Sequence, residues 1–235
     1  MSRAAIKSRK EKIKILSGSW LKTIAMIAML LDHFAVIFVN ENDILYWILR
    51  IIGRCSFVIF TILLIEGFNH TRNRLKYAIR LLVFAFLSEI PYNIAFSGNC
   101  FYTEQQNVFF TLFLGILTIW SIDRMKNKEG KILKNILIIL FCLLLSAFTN
   151  IDYGILGILA IISAYIFRKK HYWRFIFGIF INDSLILCSH GFLIAELYNG
   201  KRGFINKKWI QIIYYAIYPM HLLLFGIIKY YISLK

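Results

Sequence analysis

Long apolar runs recur through this chain, most of them close to the twenty or so residues that a bilayer-crossing helix needs, with short polar stretches between. Read in order, they predict helices over 19–39, 46–67, 76–96, 107–123, 132–149, 152–168, 173–195 and 209–232. Runs of this kind suit a bilayer, where each helix satisfies its own backbone polar groups. The expected fold class is all-α, a polytopic transmembrane helical bundle of about eight spans. A basic tail at 1–18 precedes a single transmembrane domain over 19–235. Pro91 and Pro219 fall inside or near the ends of spans and are expected to kink them or end them early. No low-complexity linker, soluble domain or obvious repeat interrupts the pattern. No small-residue cleavage site follows the first run to mark a signal peptide.

The first run, WLKTIAMIAMLLDHFAVIFV at 20–39, carries Asp32 and His33 inside it. A carboxylate or a charged imidazole in such a segment costs a few kcal/mol to insert, roughly 2.5–3.5 for the carboxylate at the centre of a helix. Residues placed at that cost read as working parts, so the other polar positions in apolar runs become informative.

Composition sharpens the class. Apolar residues make up 59% of the chain and mean hydropathy is +0.66, well above an ordinary globular domain. The net charge is +16, from 28 Lys and Arg against 12 Asp and Glu. The bases lie at segment ends and no basic–aromatic module appears, so nucleic acid is not the expected partner; the bilayer is. Cys55, Cys100, Cys142 and Cys188 show neither CxxC nor zinc spacing, and no metal site is expected.

The bias of basic residues toward cytoplasmic loops sets an orientation. The tail carries Arg3, Lys7, Arg9, Lys10, Lys12 and Lys14, which places the N-terminus in the cytoplasm of a multi-pass plasma-membrane protein. Loops at 68–76, at 124–134 and around 168–174 are basic and read as inside. Those at 40–45, 97–106 and 149–152 lack bases and read as outside. Simple alternation then puts 198–208 outside, although it carries Lys201, Arg202, Lys207 and Lys208. Two repairs are open. The 173–195 run, with Asn182, Asp183 and His190, is broken or re-entrant and lines a cavity. Alternatively, the bases bind something anionic on the outer side.

Counting about 1.5 Å of rise per residue, Asp32, His33, Arg50, Arg54, Glu89, Asn107 and Asp152 share the outer half of the bundle, with Asn182, Asp183 and His221 nearer mid-depth. Asp32 and His33 are neighbours and point to different sides of one helix, so Asp32 is expected to pair with Arg50 or Arg54, which share a face at i,i+4. Glu89 is a candidate to orient His33. Each of these residues also has a plain structural reading, as an interhelical ion pair or hydrogen bond that only fixes the bundle. A neutral imidazole in a membrane cavity is a general base, and Arg or Asn donors stabilise an oxyanion, a combination that serves acyl transfer. The same residues also serve a proton relay in a transporter.

An ordered set of motifs narrows the choice: LKTIAMIAMLLDH (21–33), RIIGRCSFVIF (50–60), EGFNHTRN (66–73), SEIPYN (88–93), QNVFFTL (106–112), DYG (152–154), YNGKRG (198–203) and YPMHL (218–222). In this order the chain resembles the TraX family of integral membrane proteins, over nearly its whole length. The family's best-known member is a conjugative pilin acetylase, and the family is similar to membrane acyltransferases that use cytosolic acetyl-CoA and an intramembrane His. The resemblance implies an acetyl-CoA-dependent N- or O-acetyltransferase with His33 of the DH motif as base. It implies Asp32, Arg54, Glu89 and Asn107 as further catalytic positions, with Glu66 at another matching polar position. Asp152, Tyr153, Asp183 and His221 are candidates to hold the acceptor, a pilin-like N-terminus, another peptide or a sugar. The loops are too short for a separate CoA domain, so the donor's phosphates need cations at the inner surface, for which Arg72, Arg74, Lys201 and Arg202 are candidates. The competing readings are a proton-coupled transporter, against which no internal repeat is found, and a non-catalytic assembly factor.

Overall fold

The structure, a computed structural model, describes residues 14–128, 131–168 and 185–234, with the backbone alone for 185–189. Among these residues eight α-helices follow one another: α1 Gly18–Phe38, α2 Ile44–His70, α3 Arg74–Ser97, α4 Val108–Lys126, α5 Ile132–Phe148, α6 Gly154–Ile166, α7 Leu185–Glu196 and α8 Lys208–Ser233. The all-α class is therefore as expected. Five of them (α1, α2, α3, α4 and α8) are long and apolar enough to cross a bilayer, and α5 and α6 are shorter apolar helices. Large apolar side chains stand exposed along α5 (Leu133, Leu137, Leu140, Phe141 and Leu144 among them), a surface that suits lipid. This is a multi-pass membrane protein.

Local chemistry sets the helix starts. Ser17, Asn73 and Asn107 cap α1, α3 and α4, each side-chain oxygen accepting from a first-turn N–H. Gly98, at φ 76°, ends α3 in the left-handed conformation. Neither proline ends its helix: α3 runs on past Pro91 and α8 past Pro219. The sixth helix starts later than its apolar run does, leaving Asp152 and Tyr153 in the turn before it. The expected break at 173–195 falls partly outside the described residues, and so does Asp183.

The chain forms two compact units. One holds the described residues of Met1–Leu63 and Ser184–Ile213, the other those of Leu64–Asp183 and Tyr214–Lys235. In the first, Leu21, Ala25 and Ala28 of α1 pack on Cys55 and Ile59 of α2. A Cβ at Gly191 of α7 would come within 3.0 Å of the Cys55 backbone, so α7 lies directly against α2. In the second, Leu114, Cys142, Ile151 and Ile158 join α4, α5 and α6.

Contacts within the second unit give helix directions. Arg74 at the start of α3 meets Asp123 near the end of α4, and Glu89 late in α3 meets Asn107 at the start of α4, so these two are antiparallel. Thr111 donates to the Asp152 carbonyl and Tyr165 to Asp123, so α4 and α6 run parallel, with α5 carrying the chain back between them. Tyr215 stacks on Phe84, and Lys229 donates to the Ala95 carbonyl at 3.3 Å, so α8 runs parallel to α3 and starts at its Arg74 end.

Candidate functional site

The first unit places Asp32 on the face of α1 toward α2. Arg50 Nη1 donates to Asp32 Oδ2 at 2.6 Å, and both side chains are largely buried. Arg50 is thus the arginine partner, while Arg54, one turn on, adds a second positive charge near the same carboxylate. Gly53 lies between them. A Cβ there would clash with Asp32 Cβ and stand 2.8 Å from its Cα, so only glycine admits so close an approach of α1. The other oxygen, Oδ1, is buried with no hydrogen-bond donor among the described residues. His33 is partly exposed on the adjoining side of α1.

The same unit decides the side of the YNGKRG segment. Gly18 and Ser19 donate their backbone N–H groups to the carbonyls of Lys201 and Arg202 at 2.8 and 2.9 Å, and Leu16 donates to the Leu197 carbonyl at 2.9 Å. The Ser19 hydroxyl donates to the Arg202 carbonyl and accepts from the Ile205 N–H. Residues 197–205 therefore return to the end of α1 from which that helix starts. The expectation from simple alternation, which puts 198–208 at the far end of α1, is overturned. Lys201 and Arg202 keep their side chains exposed there.

In the second unit Asn107 is the centre of a polar cluster. Its side chain donates to Glu89 Oε2 at 2.6 Å and to the Ala85 carbonyl at 2.8 Å, its Oδ1 caps α4, and its own N–H reaches Glu89 at 3.3 Å. The Asn150–Asp152 turn is pinned beside it, because Gln106 exchanges backbone bonds with Asn150 and Asp152. Tyr92 lies within electrostatic reach of Asp152, Glu89, Tyr153 and Tyr102, and Tyr218 within reach of Asp152, Tyr92 and Glu89. Glu89, Asn107, Asp152 and Tyr153 thus lie at one end of the second unit. Tyr92 and Tyr218, which residue type alone did not single out, stand in the SEIPYN and YPMHL motifs. Tyr153 holds φ 64°, a strained conformation for a bulky side chain. It lines an open cleft of about 680 Å³ with Tyr102, Glu104, Ser146 and Asn150. Tyr102 donates to Glu104 at 2.7 Å, which raises its phenol above the usual range. His221 is buried one turn beyond Tyr218, its Nδ1 2.8 Å from the Ile217 carbonyl.

Of the candidate phosphate ligands, Arg74 is tied to Asp123 at 2.7 Å, a carboxylate that also accepts from Tyr165 at 2.5 Å. Arg72 is exposed in the turn before α3. Glu66 lies beside His70 at 3.5 Å near the end of α2.

Comparison with known proteins now bears on these motifs. The family model described as TraX protein matches residues 17–229. The chain belongs to the TraX family. The TraX match runs from the cap of α1 to about a turn before the end of α8, so most of both units and every motif above fall inside it. The chain is also 29% identical to a probable fimbrial assembly protein FimC, serogroup H1, of Dichelobacter nodosus, over 88% of this chain and 93% of that protein. No solved structure matches.

Proposed function

We propose that this TraX protein is an integral membrane acetyltransferase acting in pilus or fimbria assembly. It moves an acetyl group from cytosolic acetyl-CoA to an amine or hydroxyl of its acceptor. One observation carries the reading: Arg50 forms the ion pair with Asp32, which gives that carboxylate a cation from the neighbouring helix, beside the partly exposed His33. His33 then serves as general base. It takes the proton from the attacking amine or hydroxyl as the bond to the acetyl carbonyl carbon forms. Collapse of the intermediate expels CoA thiolate, which picks up a proton to leave as the free thiol. Membership of the family and likeness to a fimbrial assembly protein support the cellular setting. The basic tail and the basic 198–208 segment on its side support a cytoplasmic N-terminus in the plasma membrane. Glu89, Asn107, Asp152, Tyr92 and Tyr218 form a second polar cluster suited to holding an acceptor or passing a proton.

Purified protein with labelled acetyl-CoA and a pilin-like peptide tests the reading. Transfer is expected, with a loss of about 100-fold or more in His33→Ala. Full activity in that variant removes His33 from the chemistry. The name of the Dichelobacter relative also favours a second reading, a non-catalytic assembly factor. Tight peptide binding with neither acetyl transfer nor CoA release establishes that instead.

A further inference from the structure

The end of the second unit at which α3 starts and α4 and α6 finish gathers two cations over one aromatic ring and a third on the carboxylate that the ring's hydroxyl meets. Tyr165 is fully buried, and its hydroxyl donates to Asp123. The Arg168 guanidinium lies 4.5 Å from the centre of the Tyr165 ring and the Lys126 ammonium 5.1 Å from it. Arg74 reaches the other Asp123 oxygen and leans on Phe68 at 4.3 Å. Asp123 is thereby committed to Arg74 and Tyr165. Among the described residues no carboxylate comes within 4.0 Å of Lys126 or Arg168, so the group carries an excess of two positive charges. The Arg168 Nη1 is buried with no hydrogen-bond partner among them. A buried guanidinium nitrogen left unsatisfied is costly. Orientation bias accounts for exposed bases such as Arg72 and Lys76 but not for a guanidinium nitrogen held away from water.

We infer that Arg74, Lys126 and Arg168 around Tyr165 form a binding site for a phosphate group. Arginine forks match phosphate oxygens, and the site offers one arginine already oriented by a carboxylate and a second with a donor to spare. The phosphate belongs either to a soluble nucleotide-bearing molecule or to a lipid headgroup of the adjacent leaflet. The first source rests on the acetyl-CoA reading above; the second does not.

The test uses the full chain in nanodiscs. One arm measures binding of adenosine 3′,5′-bisphosphate in neutral lipid. The other measures retention of phosphatidylglycerol by native mass spectrometry from mixed lipid. The variants are Arg168→Gln, Arg168→Lys and Lys126→Gln. Weakening of nucleotide binding by about tenfold in the Gln variants, with partial rescue in Arg168→Lys, is expected and identifies a soluble source. Loss of bound phosphatidylglycerol with nucleotide binding unaltered supports the site and identifies lipid. Wild-type behaviour in both arms overturns the inference. Lys126 is exposed, so Lys126→Gln decides the matter if Arg168→Gln does not fold. Acetyl transfer is read separately, so a protein that binds the probe and transfers nothing refutes the enzyme reading and leaves this site standing.

Discussion

Asp32 is held from two directions, by the Arg50 guanidinium across the helix pair and by the absence of a side chain at Gly53. Both restraints predict measurable costs. Gly53→Ala forces α1 and α2 apart at the carboxylate and should lower stability by about 1–3 kcal/mol, read as a fall in the unfolding temperature in detergent. Arg50→Gln leaves the buried carboxylate with only the Arg54 charge near it, and the expected loss is about 3 kcal/mol, the lower end for a broken buried pair. Adding Asp32→Asn removes the stranded charge, so the double variant should recover most of that loss. Additive losses in the cycle would show that the pair is not coupled. Asp32 was legible as an arginine-paired residue because an isolated charge is costly in an apolar helix. Which arginine was not legible, since Arg50 and Arg54 lie on one helical face and only the rotation of α2 against α1 separates them.

Between elements, the join of the α1 start to the 197–205 segment rests on a few backbone bonds and one hydroxyl. Ser19→Ala removes both bonds of that hydroxyl and strands the buried Ile205 N–H, at a cost of about 1–3 kcal/mol. Gly203 is required twice over: its φ is 82°, and a Cβ there would lie 2.7 Å from Ser19 Oγ. Sidedness follows from the same join. Lys201→Cys should label with a membrane-impermeant thiol reagent from the face that labels Ile15→Cys, and Asp43→Cys from the opposite face. Lys201→Cys labelling together with Asp43→Cys would break the assignment. Loop charge had pointed to this side, yet counting runs pointed to the other, because a count treats every apolar stretch as a crossing.

Across the whole chain, the directions of α3, α4, α6 and α8 follow from where their ends meet. Arg74, Lys126 and Arg168 gather at one end of the second unit, and Glu89, Asn107 and Asp152 at the other. Arg168→Cys should therefore label from one side, and Glu104→Cys from the other.

The sequence by itself determined the class, the place of nearly every helix and the polar residues worth following. Those depend on local quantities: the transfer cost of each side chain, the hydrogen bonds a helix makes within itself, and the caps at its ends. Only the tertiary structure decided that Arg50 rather than Arg54 meets Asp32, that Arg74 is tied to Asp123, that Tyr92 and Tyr218 join Glu89, and that residues 197–205 return to the start of α1. Each of those outcomes depends on the rotation and offset of one helix against another. That packing is set by close contacts such as Gly53 against Asp32, between residues far apart or on different helices, and no periodicity along a single run encodes it.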